Sequence, residues 1–98
     1  MKVLNLIVHE EYLKIYKCQS QLDRINQIKS DPTQETYEIP WSVKIEKKNS
    51  KVQGAIGLCK RYDLVILHGF SRYACLANMS DYIIEQGVST AYDIEGTK

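Results

Sequence analysis

Hydrophobic periodicity switches repeatedly between strand-like and helix-like along this chain, and that alternation constrains the fold more than any other feature. Residues 3–8 are apolar apart from Asn5, which is typical of a buried strand. Residues 10–29 then place apolar side chains three and four positions apart, as one face of a helix does. Pro32 disfavours helical geometry at the residue before it, so we expect the helix to end there.

The rest of the chain continues the alternation. Residues 36–46 alternate between apolar and polar side chains, which predicts a half-buried strand, and Pro40 within it indicates a sheet edge. A short helix is predicted over 52–59, a fully apolar strand over 64–67, a helix over 71–86 and a last strand over 88–92. The predicted order is β-α-β-α-β-α-β.

This order predicts an α/β fold in which a parallel sheet carries helices on both faces. The two apolar strands belong in the middle, and the strand with Pro40 and the final strand belong at the edges. With right-handed crossovers the strand order becomes 2-1-3-4. We therefore expect a small doubly wound sheet, Rossmann-like or flavodoxin-like, with four parallel strands and three helices in a single domain over residues 1–98.

Composition excludes several classes of protein. The chain is 44% hydrophobic and 26% charged, as globular proteins are, and its net charge of +1 predicts no nucleic-acid partner. No apolar run is long enough for a membrane span or a secretory signal, so we expect a cytoplasmic protein without a membrane partner. The three cysteines are scattered and odd in number, which favours a reducing compartment without a disulfide scaffold, a metal site or another cofactor.

A sheet of this kind binds ligands beyond the carboxyl ends of its strands, where the strand order reverses. Here that place is the crevice between the first and third strands. A glycine, helix N-terminal amides, a hydroxyl and a guanidinium follow the third strand and suit a phosphate or carboxylate, although glycine and serine also cap ordinary strand-to-helix turns. The predicted ligand-binding residues are His9, Glu10, His68, Gly69, Ser71 and Arg72.

Catalytic residues are harder to assign. His9 and His68 each follow a strand, where a histidine can transfer protons, and Cys75 lies near a helix N-terminus, where the dipole favours a thiolate. Cys18 and Cys59 lie on apolar helix faces and are predicted core residues. Because no set of nucleophile, base and orienting group can be assigned, an enzyme is the least favoured of the functions considered.

Aromatic residues suggest a different function. The chain has one tryptophan, Trp41, and seven tyrosines, and Tyr62, Tyr82 and Tyr92 are not all needed for the core. Tyrosine and tryptophan are favoured at protein interfaces, and the sheet has two edges to cover. The alternative to ligand binding is therefore a non-enzymatic interaction protein that regulates or inhibits a larger machine, or that pairs with a second copy as a homodimer.

Residues 62–93 also resemble the second half of small nucleoside deoxyribosyltransferase-like proteins. The matching features are the segment Tyr-Asp-Leu-Val-Ile-Leu-His-Gly-Phe-Ser-Arg at 62–72, a helix up to Gly87 and a strand that ends in Tyr-Asp. The resemblance implies a nucleoside or nucleotide pocket near Gly69 and Ser71. The catalytic glutamate of that family would fall near Ala77 and Asn78, and His-Glu-Glu replaces its small-residue loop after the first strand, so transferase or hydrolase activity is not implied.

Taken together, these patterns predict a small Rossmann-like module that binds a nucleoside, a nucleotide or a similar anionic metabolite at the crevice where the strand order reverses.

Overall fold

A computed structural model describes residues 1–15, 17–39, 50–70 and 74–93 of the chain. The secondary-structure elements in chain order are β1 (Val3–Ile7), α1 (Glu10–Ile15), α2 (Gln19–Ser30), β2 (Thr36–Glu38), α3 (Ser50–Cys59), β3 (Leu64–His68), α4 (Ala74–Glu85) and β4 (Thr90–Tyr92).

The four strands form one parallel sheet in the order β2-β1-β3-β4, which confirms the predicted α/β fold and strand order. The two apolar strands are central and pair along their full length, from Val3 opposite Leu64 to Ile7 opposite His68. The strands β2 and β4 lie at the edges, as their mixed sequences predicted. Pro40 and the rest of the alternating segment lie outside the described residues.

The predicted first helix is in fact two helices. Lys17 has a φ of 57°, a left-handed conformation that a non-glycine residue adopts rarely, and it separates α1 from α2. Cys18, just after the break, is buried, whereas Ile15, just before it, is 58% exposed. Apolar spacing continues through the break, so periodicity alone could not reveal it.

Each face of the sheet has its own helices. The Tyr82 hydroxyl of α4 accepts a hydrogen bond from Gln53 of α3, and the Ser80 hydroxyl of α4 lies 2.9 Å from that of Tyr92. Tyr92 is in register with Leu67 and shares its face, so α3 and α4 cover that side. Right-handed connections of parallel strands then place α1 and α2 on the opposite side.

Only part of the opposite side is covered. α2 follows β1 and precedes β2, so it lies over the half of the sheet that these two strands form. Within the described ranges no helix lies over the same side of β3 and β4. Side chains of β3 and β4 that point to this side are therefore available to form a surface beside α2.

Candidate functional site

A groove of about 550 Å³ lies beside α2 on the partly covered side of the sheet. We call it the sheet-face groove. Its floor is formed by Leu64 and Ile66 of β3 and Ala91 of β4, and Ile28 of α2 also lines it. Ligand pockets in proteins usually measure about 300–1,000 Å³ and combine apolar lining with a few polar groups. The groove has the size and the floor of a small-molecule site.

The polar wall of the groove carries carboxamides from three elements. Asn5 comes from β1, Gln27 from α2, and Gln34 from the turn before β2. The Asn5 side-chain nitrogen donates to Gln34 Oε1 at 2.9 Å and to the Glu35 carbonyl at 3.2 Å. Carboxamides both donate and accept hydrogen bonds, so this wall suits a ligand edge that does the same.

A charged cluster lies at one end of the groove. One oxygen of Asp93, Oδ2, lies 2.9 Å from Arg24 Nε and 3.0 Å from His68 Nδ1. The other ring nitrogen of His68, Nε2, lies 2.9 Å from Asn5 Oδ1. The side chains of His68 and Asp93 are only 3% and 8% exposed. These contacts join β1, β3, α2 and the residue after β4 into one buried polar network.

Burial governs the protonation of His68. Because the ring is desolvated, the pKa of His68 is lowered from its ordinary value of 6.5, while the charge of Asp93 opposes this shift and that of Arg24 adds to it. The lowered pKa favours the uncharged imidazole, which has a single N–H and can donate it to Asp93 or to Asn5 but not to both. The described charges that line the groove are then one guanidinium, Arg24, and two carboxylates, Asp31 and Asp93, so the lining carries a net negative charge.

The lowered pKa predicts how stability depends on pH. A histidine whose pKa is lower in the folded chain binds fewer protons there than in the unfolded chain. The contribution of His68 to the free energy of unfolding is therefore complete above pH 6.5, and it is lost as the pH falls from 6.5 towards the lowered pKa. One proton changes the free energy of unfolding by at most about 1.4 kcal/mol per pH unit.

An NMR titration of the His68 ring checks this prediction, with urea unfolding of His68→Gln as the second measurement. We expect a titration midpoint below 6.5 and a weaker pH dependence of stability in His68→Gln. A midpoint above 6.5 would show that the Asp93 charge outweighs burial.

The structure separates the predicted ligand-binding residues. His68 lines the sheet-face groove, whereas His9 and Glu10 lie where α1 begins and are not part of its lining. The His9 Nδ1 accepts a hydrogen bond from the Glu11 amide at 3.2 Å, and the Glu10 amide donates to Glu38 Oε1 at 3.3 Å. These contacts are typical of the start of a helix, where amides lack partners within the helix.

Gly69 has a structural role in the turn after β3. Its φ is +86°, and a Cβ at this position would lie 2.5 Å from Val8 Cγ2. Both observations require glycine, because only glycine adopts this conformation freely and leaves room for Val8. The next residue, Phe70, is fully buried, so the turn anchors the chain to the core before α4 begins.

Three candidate side chains cannot be placed. Ser71, Arg72 and the side chain of Cys75 lie outside the part of the chain that the structure describes. Cys18 and Cys59 are both buried, as predicted for core residues. Burial raises the pKa of the Cys59 thiol to about 11, so it stays a thiol at neutral pH.

Gln21 of α2 was not among the predicted site residues. It is only 3% exposed, and its Oε1 has no hydrogen-bond partner among the described residues. This oxygen would lie 3.6 Å from a Cβ at Gly69, so it belongs to the crevice at the end of β3. In the sequence, a buried glutamine on a helix cannot be distinguished from a solvent-exposed one, so no sequence signal could have identified Gln21.

The tyrosines considered for an interface make contacts within the fold. Tyr62 and Tyr82 are partly buried against the core, and Tyr82 accepts the hydrogen bond from Gln53. Tyr92 is 42% exposed, and its hydroxyl contacts Ser80. A tyrosine-rich interaction surface and a homodimer therefore remain predictions.

Comparisons with known proteins identify no relative of this chain. Neither the protein-family models, nor the curated proteins, nor the solved structures include a significant match to this chain. Among the described helices, none has the length and apolar character needed to cross a membrane.

Proposed function

We propose that this protein is a small-molecule-binding module whose ligand lies in the sheet-face groove. The observation that carries the proposal is the groove itself: about 550 Å³ beside an apolar sheet floor, with a polar wall in which a hydrogen bond joins the side chains of Asn5 and Gln34. Fixed polar groups above an apolar floor orient a ligand without much loss of side-chain entropy on binding.

The ligand class that suits this lining best is a nucleoside. A nucleobase is planar and can lie against Ile66 and Ala91, while its edge presents hydrogen-bond donors and acceptors to Gln27 and Gln34. The resemblance of residues 62–93 to nucleoside deoxyribosyltransferase-like proteins favours the same class. The net negative lining favours the uncharged nucleoside over the nucleotide.

Thermal unfolding in the presence of nucleosides tests the proposal. The probes are adenosine, cytidine, uridine and inosine, and ribose is the matched control because it lacks the base. We expect at least one nucleoside to raise the melting temperature and ribose to leave it unchanged. At 100 times Kd, a ligand stabilises a protein by about 2.7 kcal/mol, which corresponds to roughly 10–20 °C for a domain of this size. No stabilisation by any of the four nucleosides would count against a nucleoside site.

A further inference from the structure

The groove contains a guanidinium and an imidazole that converge on one carboxylate oxygen. Asp93 Oδ2 lies 2.9 Å from Arg24 Nε and 3.0 Å from His68 Nδ1, and the Asp93 side chain is 8% exposed. Arginine and histidine side chains that converge in this way normally bind the oxygens of phosphates and carboxylates. In this protein an internal carboxylate holds the position that such an anion would take.

We propose that Asp93 is the specificity-determining residue of the groove and that it selects uncharged ligands over anionic ones. This inference rests on the proposed function, because it concerns which ligands the same groove accepts. A phosphate that approached Arg24 would have to displace Asp93 or lie beside its charge, and like charges in a partly desolvated site repel each other strongly.

The surroundings of Asp93 support this role. The second carboxylate of the groove, Asp31, is engaged elsewhere, since its Oδ1 accepts hydrogen bonds from the Thr33 amide at 2.9 Å and the Thr33 hydroxyl at 2.6 Å. Asp93 forms an ion pair with Arg24. Asp93 is also held in place, because its amide donates to the Leu67 carbonyl at 3.2 Å.

The test removes the negative charge of residue 93 and keeps the shape of its side chain. Asp93→Asn is almost isosteric and removes the negative charge, so Arg24 becomes able to bind an anion. The probe is inorganic phosphate, compared with chloride at equal ionic strength, and the readouts are the melting temperature and the chemical shift of Arg24 Nε. We expect phosphate to raise the melting temperature of Asp93→Asn and to shift its Arg24 Nε signal. In the wild-type protein, phosphate and chloride should give the same melting temperature and the same Arg24 Nε signal.

Two control variants identify the cause. Asp31→Asn changes the net charge equally, and its remaining amide oxygen can still accept the hydrogen bonds from Thr33, so we expect no phosphate binding. Arg24→Gln combined with Asp93→Asn should lose the phosphate binding again. If circular dichroism shows that Asp93→Asn is unfolded, Asp93→Ser removes the same charge with a smaller side chain and takes its place.

Each outcome supports or overturns the proposal. Phosphate binding by the wild-type protein, or none by the folded Asp93 variant, would overturn it. Equal phosphate binding by Asp31→Asn would also overturn it, because net charge and not Asp93 would then control selection. These results are independent of the nucleoside experiment: a gain of phosphate binding without any nucleoside binding would refute the proposed function alone.

Discussion

Replacing Gly69 with alanine is expected to lower the free energy of unfolding by about 2–5 kcal/mol, since two costs add. The positive φ of +86° costs an alanine about 1–2 kcal/mol. The new Cβ would lie 2.5 Å from Val8 Cγ2, and forcing an extra carbon into a packed core costs typically about 1–3 kcal/mol. Urea unfolding followed by circular dichroism measures the difference.

Gly87 provides the matched control for this substitution. It has the same φ of +86°, but nothing lies within 4 Å of the position that a Cβ would take. Gly87→Ala should therefore show the conformational cost of about 1–2 kcal/mol alone. If the two variants lose equal stability, the contact between residue 69 and Val8 has no energetic role, and the turn after β3 does not require glycine for its packing.

Replacing Ala91 with tyrosine is expected to weaken nucleoside binding, with at least a tenfold increase in Kd. Ala91 is exposed, pairs in register with Ile66 and forms part of the groove floor, so a phenol ring at this position occupies the space proposed for the base. Tyrosine is favourable in strands, so we expect the variant to fold with nearly unchanged stability. Isothermal titration with the nucleoside that stabilises the wild-type protein most gives the Kd.

Glu85→Tyr is the control, because it introduces the same side chain at an exposed position of α4, on the other side of the sheet. Its Kd should equal that of the wild-type protein. Undiminished binding by Ala91→Tyr would show that the ligand does not lie on the floor of β3 and β4.

The fold was largely predictable because it depends on local patterns. Apolar runs at 3–8 and 64–67 predicted the central strands, and mixed sequences predicted the edges, as the strand order confirms. The break at Lys17 was not predictable, because the apolar spacing of the helix continues across it. Backbone geometry there depends on tertiary packing, to which periodicity is insensitive.

The candidate site was predictable only in part. His68 was recognised because it ends a strand, and Asn5 was visible as the one polar residue in a buried strand. The ion pair between Arg24 and Asp93 joins residues that are 69 positions apart, so no local sequence pattern could show that the two side chains meet. The groove itself follows from topology, since it lies where no described helix covers β3 and β4.

The most direct test of a ligand site in the sheet-face groove is an NMR titration of the labelled protein with adenosine, cytidine, uridine and inosine in turn. We predict that at least one nucleoside shifts the backbone amides of Ile66 and Ala91 and the side-chain amides of Asn5 and Gln34, while amides of α4 such as that of Asp81 stay unchanged. Shifts confined to Gly69 and Gln21 would place the ligand in the crevice after β3 and contradict this account. The absence of shifts with all four nucleosides would contradict it as well.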